Sequence, residues 1–218
     1  MELALVPSPA YPSADHRLPG QVRALPFQGD DVALVAGLLR GHPGAAEVLH
    51  RRFSRRIHGL LYRILGADPE LEDAVHDTFV RALEALPRLK DPEALESWLL
   101  GVTVRTARTR LQRRARRRWL VFMPADEVPE LSHLDVEPAV RESMTAVHRI
   151  LEKLPVEERL ALVLRHAEHM TIAETAEACG SSASTIKRRL ARAEARFAER
   201  AKGEASLRWR LGGRRGEQ

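Results

Sequence analysis

Three clusters in this 218-residue chain have side chains of the types and spacing that do chemistry or hold a charged partner. The first runs from Arg105 to Arg118 and holds eight arginines in fourteen positions. On a helix, so dense a run puts positive charge nearly all round the axis, and it repels itself unless a polyanion compensates it. Nucleic-acid contact is therefore preferred over a merely solvated face. Trp98, Trp119 and Phe122 flank the run; core packing is their default, although stacking on unpaired bases is a use such a site has for aromatic rings. The second cluster is acidic: Glu72, Asp73 and Asp77, with His76 among them. Carboxylates of this kind suit metal binding or general acid–base work, as in a metal-dependent nuclease. No glycine-rich phosphate loop accompanies them, so a solvated face is the default and a docking surface for a basic partner is the functional alternative. An acidic patch in a DNA-binding chain has to avoid the DNA itself. The third cluster is His166 with His169, three apart and in principle able to bind zinc. No further ligand pattern lies nearby, which makes a partly exposed helix end the simpler reading. No Ser-His-Asp or Cys-His arrangement stands out, and no enzyme, cofactor or resident metal is expected.

The stretch from Met170 to Ala193 says which nucleic acid is involved. Thr171 and Glu174 form a capping box, hydroxyl and carboxylate each satisfying a backbone N–H at a helix start. Ile172, Ala173 and Ala176 are expected to give that short helix its apolar face. Gly180 breaks it where a left-handed residue is wanted, and Ser181 and Ser182 offer a cap for a second helix. There Ile186, Leu190, Ala193 and Phe197 share one stripe, while Ser184, Thr185, Lys187, Arg188 and Arg192 point elsewhere. Two helices, a glycine turn and a basic outer face describe a helix-turn-helix, whose second helix fits a major groove of duplex DNA.

These clusters need elements to hold them. Leu, Ala and Arg dominate and only 5% of residues are aromatic, which favours helical bundles over sheets. The net charge is +5, unevenly spread. The single cysteine, Cys179, excludes an internal disulfide framework and reads as a small packed residue. No apolar run approaches the ~20 residues that span a bilayer, and the N-terminus lacks the pattern of a secretory signal, so no membrane insertion and a cytoplasmic location are expected. The expected fold is all-α: two small helical bundle domains joined by an extended flexible linker, the C-terminal one carrying the helix-turn-helix. Residues 1–28, with Pro7, Pro9, Pro12, Pro19 and Pro26, read as a disordered leader. Residues 29–118 read as the first domain, with a helix capped by Asp30 and Asp31 and running through Leu39, and others from about Ala45 to Leu65, about Glu70 to Leu86 and near Pro92 to about Arg118. Residues 119–138 read as the linker, 139–200 as the second domain and 201–218 as a basic tail.

Two blocks of this chain together resemble a known family. The run from Gly29 to Phe53, then D-P-E-L-E-D-A-V-H-D-T-F-V-R-A-L from Asp68 and S-W-L-L-G-V-T-V-R-T-A from Ser97, resembles the second conserved region of bacterial sigma factors. The run L-E-K-L-P-V-E-E-R-L-A-L-V-L-R-H from Leu151, followed by the helix-turn-helix, resembles their fourth region. With no other domain between them, the chain resembles a sigma-70 family factor of the extracytoplasmic-function (ECF) type over residues 29–200. The resemblance implies a non-enzymatic subunit that binds core RNA polymerase, directs it to promoter DNA and is sequestered by an anti-sigma factor or otherwise controlled. It implies docking on the polymerase through Glu72, Asp73, His76 and Asp77. It implies −10 element reading and melting by the helix bearing Trp98, Arg105, Arg108, Thr109, Arg110 and Arg113. It implies −35 reading by Ser182, Ser184, Thr185, Lys187, Arg188, Arg189 and Arg192. Four residues depart from the family pattern, in three places. His76 stands where Gln is usual and introduces a titratable ring, Arg105 and Thr109 replace an Asn and an Asp of the −10 helix, and Ser181 fills a usually apolar place in the turn. A stand-alone helix-turn-helix regulator is the alternative, and it predicts tight DNA binding without polymerase.

Overall fold

In a computed structural model the chain is described at residues 27, 29–121, 138–204 and 207, by backbone alone at 117–121 and 138–139. Among these residues every regular element is helical: α1 (Asp31–Leu39), α2 (Ala45–Leu65), α3 (Leu71–Ala85), α4 (Leu95–Val121), α5 (Pro138–Glu152), α6 (Val156–His166), α7 (Ile172–Cys179) and α8 (Ala183–Ala201). One-turn 3₁₀ helices at Leu86–Arg88 and Pro92–Ala94 join α3 to α4. No described helix is long and apolar enough to cross a membrane.

The first unit is α1 to α4. Asp30 caps α1 by accepting from the Ala33 N–H at 2.8 Å. Phe27, inside the expected leader, folds back on α1, its ring edge-on to His42. Gly37 makes room for it, since a Cβ there would sit 2.6 Å from the Phe27 ring. α2 buries Phe53, Ile57, Leu60 and Ile64 as its periodicity predicts, and Leu61 and Leu65 besides, because it has neighbours on several sides. α3 buries Val75, Phe79 and Ala82 against it. α4 is 27 residues long, about 40 Å, with Leu95, Leu99 and Val102 buried and Trp98 half-buried. It continues through Val121, so Trp119, Leu120 and Val121, expected in the linker, are helical, and α5 already begins at Pro138. The rest of that linker with Phe122, the leader before Phe27 and most of the tail lie outside the described residues.

The second unit is α5 to α8. Met144, Leu151 and Leu154 of α5 are buried and Val140 and Val147 half-buried, one stripe at helical spacing. α6 buries Leu160, Ala161, Leu162, Val163 and Leu164 in succession, because α8, α7, α4 and α2 all pack on it. Those last two neighbours belong to the first unit, so the two units touch: α7 and α6 lie on α4, α6 reaches α2, and the His148 ring of α5 stands 5.4 Å from Tyr62 of α2.

Candidate nucleic-acid interface

The helix-turn-helix is built as its capping residues dictate. Thr171 Oγ1 accepts from the Glu174 N–H at 3.2 Å, and the Glu174 carboxylate accepts from the Thr171 N–H at 2.7 Å. Those bonds hold the Glu174 carboxyl below its usual range. Gly180 takes the left-handed conformation, φ 59°, and Ser182 Oγ accepts from the Thr185 N–H at the start of α8. Ala173, expected inward, is exposed; Thr175, Ala176, Ala178 and Cys179 form the buried face, Ile172 half-buried beside them. Thr175 tolerates burial because its hydroxyl donates to the Thr171 carbonyl at 2.8 Å. Nothing lies within 4 Å of a Cβ built on Gly180, so Gly180→Ala strains only the backbone, by about 1–2 kcal/mol. Thr171→Ala costs about 1 kcal/mol through its lost cap. Urea denaturation of both variants reads these losses, and an unchanged midpoint for either refutes its assigned role.

On α8 the predicted division holds. Ile186, Leu190, Ala193 and Phe197 are buried, while Ser182, Ser184, Lys187, Arg188 and Arg192 are exposed and Thr185 is half-buried. Arg189 differs from the rest. Its guanidinium turns inward, pairing with Glu157 of α6 at 3.0 Å and donating to Ser181 Oγ at 3.5 Å. Ser181, polar where the family is apolar, thereby gains a partner.

The arginine run of α4 is divided too. The compensation attributed to a polyanion comes partly from the protein's own acids. Arg110 pairs with Asp77 at 2.9 Å and Glu70 at 3.0 Å, tying α4 to the start of α3. Arg114 pairs with Asp68. Arg108 pairs with Glu157 at 2.8 Å and donates to the Cys179 carbonyl at 3.0 Å, at the C-terminal end of α7 where a cation is favoured. Arg105 and Arg113 are exposed. Partial burial and the Arg108 charge hold the Arg105 guanidinium below its ordinary range. Thr109 spends its hydroxyl on the Arg105 carbonyl. Trp98 lines a cleft of about 530 Å³ between the two units, with Arg105.

On α3, Glu72, Asp73 and His76 are exposed on one face, and Glu72 lies 3.3 Å from His58. Asp77, on the same face, is half-buried against Arg110. Val80 and Leu83, two of the few large exposed apolar residues, continue that face, and no motif in the sequence marks them. Of the two histidines, His166 bonds Glu194 at 2.8 Å, and His169 is exposed with a left-handed backbone, φ 56°. Among the described residues no group of three or more His, Cys, Asp or Glu is placed to hold a metal ion.

A helical bundle followed by a helix-turn-helix bundle defines a two-part DNA-binding protein, and comparison with known proteins gives both parts the same origin. Residues 49–117 match the Sigma-70 region 2 family, and residues 144–197 match Sigma-70, region 4. The ECF RNA polymerase sigma factor SigM of Mycobacterium tuberculosis is 32% identical over 168 residues, covering 77% of this chain and 83% of that protein. The RNA polymerase sigma-H factor of Pseudomonas aeruginosa is 28% identical over 175 residues, 76% of this chain and 91% of its own length. Among solved structures, CnrH in complex with the cytosolic domain of CnrY is similar in fold, with a TM-score of 0.56 at 23% identity over 80% of this chain and 99% of that one. So is the sigma factor RpoE of Bartonella quintana in complex with the anti-sigma factor NepR, with a TM-score of 0.55 at 19% identity over 72% of this chain and 96% of that one. The chain belongs to the ECF group of the sigma-70 family and is an RNA polymerase sigma factor.

Proposed function

We propose that three faces of this sigma factor divide the work of promoter recognition. The α3 face of Glu72, Asp73, His76 and Asp77 docks on core RNA polymerase in the cytoplasm. Arg105, Arg108, Arg110 and Arg113 of α4, with Trp98 and Thr109, hold the −10 element. The N-terminal half of α8, from Ser182 to Arg192, enters the −35 major groove. The observation that carries this reading is the placement of charge: Glu72 and Asp73 lie exposed on one face of α3, and exposed Lys187, Arg188 and Arg192 on the face of α8 opposite its buried stripe. The acidic face suits a protein partner and the basic one phosphates, which set register while one or two side chains read bases. The protein does no covalent chemistry in this scheme. Its solved relatives also point to a partner of the anti-sigma kind as the means of control.

Size exclusion of the purified chain with bacterial core RNA polymerase tests the role directly. A stoichiometric complex is expected, and its absence from a folded sample supports a polymerase-independent DNA-binding regulator instead. A second measurement addresses α8. Arg188→Ala and Arg192→Ala, at exposed sites, leave the melting temperature unchanged and weaken −35 DNA binding by the polymerase complex. Each lost base contact costs about 1–3 kcal/mol, roughly a 5- to 150-fold loss. Unfolding in place of weaker binding refutes the assignment.

A further inference from the structure

The seam between α3 and α4 is closed at one place and open at another. Arg110 of α4 closes it by pairing with Asp77 of α3 at 2.9 Å. One turn further along α3, the seam widens into a cleft of about 350 Å³. Its lining is Arg81, Glu84 and Ala85 of α3, Arg88 of the 3₁₀ turn that follows, and Val102 and Arg105 of α4. Arg108, Arg110 and Arg114 of α4 each have a carboxylate partner. The guanidinium groups of Arg81, Arg88 and Arg105 have none: no ion pair or hydrogen bond engages them among the described residues. Glu84 is the single carboxylate of the lining, so three positive charges stand against one negative.

Cations gathered on the walls of one cleft repel each other, and an anion between them removes that cost. Arg105 already shows it, since burial and then the Arg108 charge disfavour its charged form. The three arginines come from three successive elements, and the buried Ala82, Leu86 and Val102 beside them fix those elements in the core. Such a rigid set of planar, always-charged forks suits phosphate oxygens. The lining holds no amide or hydroxyl side chain to match the edge of a base.

We propose that Arg81, Arg88 and Arg105 form a cradle for backbone phosphates of the melted promoter strand, a grip that does not depend on the base. The inference rests on the reading of α4 as the −10 face, and it adds Arg81 and Arg88 to that face. It also makes Arg105, which stands where the resemblance leads one to expect Asn, a residue of affinity and not of base choice. A strand explains the site better than a free phosphate compound does. Arg88 and Arg105 line the neighbouring cleft of Trp98 as well, so the two clefts are continuous. Trp98 and Arg105 are seven residues apart, two turns along one side of α4. A strand laid along that side sets a base against the indole while its backbone reaches the cradle.

The test uses the full chain in a pre-formed complex with core RNA polymerase. Its probes are fluorescein-labelled single strands of about 15 nucleotides, one all dT, one all dA and one alternating dG with dT. Their affinities are measured by anisotropy over a salt series for wild type, Arg81→Ala, Arg88→Ala and Arg105→Asn. Each variant should flatten the slope of log affinity against log salt by about 0.7, the value for one phosphate contact to a single strand. The same slope makes the loss about fivefold at 0.1 M salt relative to 1 M, and it should be equal for all three strands. A loss confined to one strand means that the cradle reads a base, and overturns the proposal. Unchanged affinity and slope in folded variants overturn it too. So does protection of wild type, but not of the variants, against thermal unfolding by inorganic pyrophosphate while strand affinities stay unchanged; the site would then serve a free phosphate compound. Arg113→Ala, on α4 outside the cradle, tests the −10 reading by itself. If it binds the strands as wild type does, α4 is not the −10 face; a loss there with silent cradle variants removes the cradle alone.

Discussion

Replacing Glu72 and Asp73 by arginine leaves a folded protein that has lost its affinity for core RNA polymerase by about a hundredfold or more. Both side chains are exposed near the start of α3, so their reversal buries no new charge, although Glu72 gives up its contact with the buried His58 at 3.3 Å. Removing acids from the first turn costs about 0.3–1 kcal/mol each through the helix dipole, well within a domain's stability. Against a basic partner, the change turns attraction into like-charge juxtaposition worth several kcal/mol, and 1.4 kcal/mol is a factor of ten. Asp77 is the wrong residue for this experiment, although it belongs to the same face. Its carboxylate pairs with the mostly buried Arg110, so reversal sets two cations against each other and loosens α3 from α4. Asp77→Arg should therefore lose stability along with binding. Binding by fluorescence anisotropy to labelled core enzyme, beside a thermal melt, separates the two effects. Wild-type affinity in the Glu72→Arg, Asp73→Arg double variant would remove α3 from the docking surface.

What the sequence could show was set by the range of each interaction. The bounds of α2, the Asp30 and Ser182 caps and the capping box at Thr171 follow from groups three or four residues apart, and all are where the residues put them. The buried stripe of α8 was legible for the same reason, over about three helical turns from Ile186 to Phe197. α7 has only eight residues, too few for apolar counting to fix its phase, and Ala173 was placed inside when Thr175 is. The family resemblance supplied the division into region 2 and region 4 and the grouping of candidate residues. It could not supply pairings such as Arg63 with Glu168, 105 residues apart, or Arg108 with Glu157, 49 apart. Those depend on how the two units meet, and no local rule governs that. The same limit applies to His148, which shares the apolar stripes of α5 with nothing to mark it as a contact of α2.

Acid weakens this protein through that histidine. His148 is 3% exposed, its ring edge-on to Tyr62 and near Gly66 of the first unit. Burial first, and then the charge of Arg159, lower its pKa to about 4 from an ordinary 6.5, while contacts with the backbone of Tyr62 and Met144 pull the other way. The folded protein therefore binds fewer protons here than the unfolded chain does. Stability from a neutral His148 is complete above about pH 6.5 and is lost as the pH falls toward 4. Between pH 7.5 and 4.5 the loss from this one group is about 2.5 kcal/mol, since each pKa unit is worth 1.36 kcal/mol. Urea denaturation at both pH values, in wild type and His148→Gln, isolates it, because the titrating carboxylates are common to the two proteins. The variant, whose amide does not titrate, should lose about 2.5 kcal/mol less stability on acidification. Equal losses in the two proteins would mean that His148 is solvated or already charged in the folded state. The ring lies between α5 and α2, so its protonation opposes the contact between the two units as well as the fold. Scattering at mildly acid pH should then show the wild-type units parting before either unit unfolds, with His148→Gln remaining compact.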